Sequence, residues 1–69
     1  MAQKQIYRFI KPYNLQAAPI THPFEVGFRL VPFGDVWEVE RLDGSKIDVQ
    51  IGEYHINRLL GQGIIEKHT

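Results

Sequence analysis

Few residues in this chain are equipped for chemistry. Ser45 is the single serine, cysteine is absent, and the histidines are His22, His55 and His68. A nucleophile needs a hydroxyl or thiol activated by a neighbouring base, and with Ser45 alone, in a turn signal, there are almost no candidates. Without thiols there are no disulfides, iron–sulfur clusters or thiolate-bound zinc. The three histidines fall in a loop, a helix and the C-terminal tail, at no spacing that places two imidazoles on one ion. His55 is expected on the outer side of its helix, one turn before Arg58, which opposes a cation there. Gly61-Gln62-Gly63 follows a helical segment instead of opening one, so its amides cannot cradle a phosphate at a helix N-terminus. The expectation is a non-enzymatic protein with no cofactor and no metal, in a chain that has little room for a ligand-sized cavity.

Three constellations remain that could bind. Tyr7, Arg8, Phe9 and Lys11 place aromatics beside cations near the N-terminus, the combination that stacks bases and neutralises phosphates of a single strand. Zero net charge argues against that use, because phosphate neutralisation supplies most nucleic-acid affinity. Glu38 and Asp48 are expected to face each other on the solvent side of two strands, an unfavourable pairing that a cation or basic partner would relieve. Tyr13, Val31, Phe33 and Val36 lie outside the expected buried face, with Leu15 and Ile20 nearby in the chain. Together they suit a protein-interaction surface.

These residues must be positioned by a very small scaffold. At 69 residues the chain holds one domain, 1–69, with a thin core. The lack of cysteine favours a reducing, cytoplasmic setting. Arg8 and Lys11 interrupt any signal-peptide run at the start, and no apolar stretch reaches membrane-spanning length. Charge is divided by halves. Residues 1–33 carry Lys4, Arg8, Lys11 and Arg29 against Glu25, whereas residues 34–69 carry seven acids against four bases. Cross-strand pairing of the halves is expected to neutralise both.

Short β-like runs separated by turn signals dominate the pattern. The first is Gln5 to Ile10, stopped by Pro12. Tyr13 to Pro23 reads as a long irregular loop, with one helical turn at Asn14 to Ala18. Phe24, Val26, Phe28 and Leu30 then alternate with polar positions, as do Trp37 with Val39 and Ile47 with Val49 and Ile51. Gly34-Asp35 as a two-residue turn pairs Leu30 with Val39, Pro32 with Trp37 and Arg29 with Glu40. Leu42-Asp43-Gly44 as a three-residue loop pairs Glu40 with Lys46, Val39 with Ile47 and Trp37 with Val49. Both turns bury the same face, and a two-residue Asp43-Gly44 turn would mix charged and apolar side chains on it. Ile56, Leu59 and Leu60 change to helical spacing, giving a helix over Glu53 to Leu60 with Gly61 at its C-cap. Ile64 to Lys67 closes the chain as a strand.

The expected fold is mainly β: a small antiparallel barrel or strongly bent sheet with one short C-terminal helix before the last strand. This order of elements resembles the SH3-like small barrels, which also place a long loop after the first strand and a helical turn before the last. The resemblance covers order and length, and no binding motif of those families accompanies it. The functional expectation is an interaction module acting on another protein or by self-association, without membrane or cofactor. An accessory, inhibitor or assembly protein of a phage or mobile element fits that size. The alternative is a small-barrel nucleic-acid binder using Tyr7, Arg8, Phe9 and Lys11. On this pattern Trp37 anchors the core, so Trp37→Ala should cost about 3–5 kcal/mol. Most of the stability of a small domain is of that size. Urea unfolding followed by circular dichroism will read it, and a loss below 1 kcal/mol would contradict the buried assignment.

Overall fold

A computed structural model describes residues 4–17 and 20–68. Residues 1–3, within the stretch tested as a signal peptide, lie outside the described residues. So do Ala18, Pro19 and the Ile20 side chain from the expected long loop. The chain order is β1 (Tyr7–Phe9), β2 (Tyr13–Ala17), β3 (Ile20–Phe24), β4 (Arg29–Phe33), β5 (Val36–Glu40), β6 (Lys46–Ile51), α1 (Glu53–Gly61) and β7 (Ile65–Lys67). Five strands form one antiparallel sheet in the order β6-β5-β4-β1-β7, and β2 with β3 forms a separate two-stranded sheet. No strand joins β6 to β7, so the sheet is open and the expected barrel does not close.

The β4–β5 hairpin follows from its turn. Phe33 pairs with Val36 across Gly34-Asp35, which sets Pro32 opposite Trp37, Leu30 opposite Val39 and Arg29 opposite Glu40. The expected register holds at every one of these positions. The next hairpin also starts as expected, with Arg41 N–H bonded to the Ser45 carbonyl at 2.7 Å. Glu40 then pairs with Lys46 and Val39 with Ile47. Gly44 has φ +89°, the left-handed conformation that closes such a loop and that a side chain disfavours. Ser45 donates to Asp43 Oδ1 from its hydroxyl at 2.6 Å and from its amide at 2.9 Å. These bonds, the hydroxyl first, hold the Asp43 carboxyl below its ordinary 3.8. A carboxyl depressed on folding favours the folded hairpin above its unfolded pKa, and that contribution disappears as pH falls through the folded value.

The register then slips. Glu38 pairs with Gln50 and Trp37 with Ile51, leaving Asp48 and Val49 as extra residues in β6. Trp37 therefore faces Ile51 instead of Val49. Inserting two residues preserves the alternation, so Ile47 and Ile51 still point inward and the apolar pattern cannot reveal the bulge.

Residues 13–24 differ more from expectation. Residues 13–17 and 20–24 form the paired strands β2 and β3, with Tyr13 opposite Phe24 and Leu15 opposite His22, in place of an irregular loop with a helical turn. Nor does one strand run from Phe24 to Leu30. Glu25-Val26-Gly27 turns the chain, the Phe28 amide donates to the Glu25 carbonyl at 3.1 Å, and Val26 is exposed at the bend.

The helix ends as a Schellman motif one residue later than expected. Gln62 is the C-cap, and Gly63 follows with φ +71°. The Ile64 amide donates to the Leu59 carbonyl at 3.0 Å and the Gly63 amide to the Leu60 carbonyl at 3.1 Å, the two bonds that satisfy a helix's last carbonyls. Ile56 and Leu59 bring the helix onto the core. With them pack Phe9, Phe24, Phe28, Leu30, Trp37, Val39, Ile47, Ile51 and Ile65, all buried. Val49 is only partly buried against this group. Gly44→Val should destabilise the domain by about 1–2 kcal/mol through its left-handed backbone. Urea titration of the pair will test this, and equal midpoints would refute the turn assignment.

Candidate protein-interaction surface

One proline shapes the most open part of the molecule. The Phe28 carbonyl accepts the Phe9 amide at 2.8 Å, and ladder groups on one side of a strand recur at every second residue. Phe28 and Leu30 thus turn their main-chain groups toward β1, and Pro32 is next in line. Proline has no N–H to give. The β1–β4 ladder stops at Tyr7 opposite Leu30, one step short of Gln5 opposite Pro32. The Gln5 carbonyl accepts instead from Trp37 Nε1–H at 2.8 Å, and Trp37 is the residue paired with Pro32 on β5. An indole therefore replaces the missing backbone donor.

Where the ladder stops, the chain segments separate. Lys4 and Ile6 on one side and Pro32 and Gly34 on the other line an open groove of about 410 Å³. Trp37 stands beside it with its ring pinned. Its indole is hydrogen-bonded to Gln5, and the Tyr7 ring packs on it at 6.1 Å and 58°. Lys4 Nζ lies 4.6 Å from the centre of the Trp37 ring. Phe33, on the hairpin rim next to Pro32 and Gly34, is 56% exposed, and Ile6 is 36% exposed.

The expected interaction residues are divided by the fold. Val31, Phe33 and Val36 come together at the closed end of the β4–β5 hairpin, Phe33 paired with Val36 and both valines half-buried. Tyr13 does not join them. Its ring stacks near Phe9 at 6.5 Å and meets Phe24 at 6.3 Å, and its hydroxyl is 3.1 Å from His55 Nε2. That contact turns His55 toward the β2–β3 hairpin, not to the outer side of the helix, and makes Tyr13 a tether between hairpin and helix.

The nucleic-acid set is dispersed as well. Phe9 is 1% exposed and offers no face to a base. Tyr7 is half-buried against Trp37. Arg8 is ion-paired to Glu66, while Lys11 is exposed. Arg8 in fact belongs to a row of charges that crosses the whole sheet, Glu66, Arg8, Arg29, Glu40 and Lys46, each opposite the next. Arg29 pairs with Glu40, and Lys46 reaches Glu38 at 3.4 Å. The basic first half and acidic second half thus neutralise each other across strands. Exposed pairs of this kind contribute little stability, but they occupy the cations. The bulge also undoes the expected carboxylate pair, because Glu38 faces Gln50 and Asp48 is exposed on its own.

Pattern reading missed Lys4, Ile6, Pro32 and Gly34 as a unit. A proline within a strand was the available signal, since it marks a position where the ladder must end. No family model, curated protein or solved structure matches this chain significantly. If the indole truly replaces the Pro32 donor, Trp37→Phe should cost about 0.5–1.5 kcal/mol for the lost hydrogen bond. Pro32→Ala should add a competing amide and change the exchange protection of the Trp37 Nε1–H in NMR spectra. An unchanged Nε1–H signal in Pro32→Ala would argue that Pro32 plays no part in opening the groove.

Proposed function

We propose that this chain is a non-enzymatic interaction module that binds another protein through the groove and its Phe33 rim. One observation carries the reading: a phenylalanine, 56% exposed, stands in the chain between Pro32 and Gly34, two residues that line an open groove. An exposed aromatic beside a pre-formed depression is the usual composition of a binding hot spot. Ile6, also exposed, lines the groove itself, whereas Val26, Leu42 and Tyr54 are not among its lining residues. Binding by contact suits an inhibitor, adaptor or assembly component working in the cytoplasm.

The scaffold reading is a strongly bent sheet of SH3-like order. What supports it is the strand order, with the last strand beside the first and a hairpin excursion between β1 and β4. The helix immediately before the last strand agrees with it. Burial of Phe9 and pairing of Arg8 with Glu66 weigh against the nucleic-acid alternative.

The immobilised domain, exposed to a lysate of its native host, should retain a specific protein in moderate salt. Phe33→Ala should abolish that retention while changing stability by no more than about 0.5 kcal/mol, because the side chain is on the surface. Arg8→Ala and Lys11→Ala should retain the partner. Equal retention by wild type and Phe33→Ala would remove the groove from the interface. Titration with labelled single- and double-stranded oligonucleotides at two salt concentrations tests the alternative. Tight binding that falls steeply with salt would replace the present reading.

A further inference from the structure

The Trp37 ring beside the groove already carries a cation. The Lys4 ammonium lies 4.6 Å from its centroid, inside the range in which an aromatic quadrupole attracts positive charge. Among the described residues the ion pairs are Arg8–Glu66, Arg29–Glu40 and Lys46–Glu38, and Lys4 belongs to none of them. Its ammonium is therefore held by the ring with no carboxylate partner among the described residues. The ring itself is fixed by the Gln5 carbonyl, the Tyr7 ring and its place opposite Pro32. Trp37 is 5% exposed and belongs to the buried core, with the Lys4 ammonium over its ring. A rigid aromatic face is thus covered by a long, rotatable side chain that also lines the groove.

We infer that this Trp37 face is a site for a cationic side chain, lysine or arginine, of the partner protein proposed above. Lys4 occupies the site in cis until the incoming cation displaces it. This rests on the protein-partner reading and names the chemistry of the partner. The ammonium seated on the ring shows which chemistry the site accepts. Displacing it breaks no ion pair among the described residues, and the released ammonium regains its water. Exposed Asp35, next to groove-lining Gly34, adds a negative charge at the rim that suits a basic segment. Lys4 is then an intramolecular competitor, and the fraction of molecules in which it covers the ring lowers apparent affinity in proportion.

Trp37 is the only tryptophan, so its fluorescence reports the site directly. The pure domain is titrated with tetramethylammonium chloride and with acetyl-arginine amide, using sodium chloride at equal ionic strength as control. Wild type, Lys4→Met and Lys4→Arg are compared, since Met keeps the apolar stem and Arg keeps the charge. Lys4→Met should show a saturable change with half-saturation about two- to fivefold lower than wild type, the factor of one ordinary exposed cation–π contact. Lys4→Arg should stay within twofold of wild type. The Nε1–H resonance should move in parallel, and circular dichroism should show the same fold in all three proteins. No saturable response in Lys4→Met, or the same half-saturation in Lys4→Met and wild type, overturns the inference. No partner protein is present, so such a failure leaves the Phe33 surface standing. Failure of the partner reading appears only in the Phe33→Ala retention experiment.

Discussion

Leu30 and Val39 face each other across β4 and β5, both without exposed surface, and the other elements are placed by what must cover that pair. The main sheet has one apolar face and one charged face. A single open sheet of this size cannot dry its apolar face alone. The helix contributes Ile56 and Leu59, and residues 24–28 contribute Phe24 and Phe28. The β2–β3 hairpin supplies no strand to the main sheet. It is held through Phe24 and Tyr13, and through the Tyr13–His55 hydrogen bond to the helix. Side-chain packing and that one hydrogen bond therefore recruit the pieces that backbone pairing leaves out.

Regular pairing fails in two places, with different consequences. In β6 two extra residues bulge out and the alternation recovers, so the core is undisturbed. The bulge also interrupts an edge strand, which discourages pairing with another sheet. At Pro32 the failure is chemical, because one donor is absent, and the neighbouring segment moves away from β4. The Trp37 indole satisfies the acceptor left over. A polar group that would otherwise be orphaned thereby pins an aromatic ring beside a groove. Of the features proposed for binding, the pinned Trp37 ring traces to that missing N–H, and Phe33 is placed by the turn that pairs it with Val36.

The charged face has a quieter part. Arg8 and Arg29 are directly opposed, a repulsive arrangement unless each has its own carboxylate. Glu66 and Glu40 supply them from the flanking strands. Salt-bridged on both sides, the row uses up cations that would otherwise present a basic stripe. Strand order thus sets Arg8 and Arg29 of the basic first half beside Glu66 and Glu40 of the acidic second half.

What the sequence by itself determined is local. Turn residues with fixed conformational demands, Gly34-Asp35 and Leu42-Asp43-Gly44, set the register of one hairpin and the first pairs of the next, and period-two alternation selected the face they bury. The change to helical spacing at Ile56, Leu59 and Leu60 placed the helix within one residue of its end. Tertiary structure decided whatever depends on partners distant in sequence. A two-residue bulge leaves alternation unchanged, so it is invisible to pattern. Residues 13–17 do alternate, Tyr13 and Leu15 against Asn14 and Gln16, but Pro19 and Pro23 read as loop punctuation, and only the pairing of Tyr13 with Phe24 beside the core reveals the strands. Tyr13, Phe9 and Arg8 looked available for binding in the chain, yet packing and ion pairing occupy them. Lys4, Ile6, Pro32 and Gly34 show no periodicity linking them. Only the strand order brings them together, because a groove is a gap between segments and no single segment encodes it.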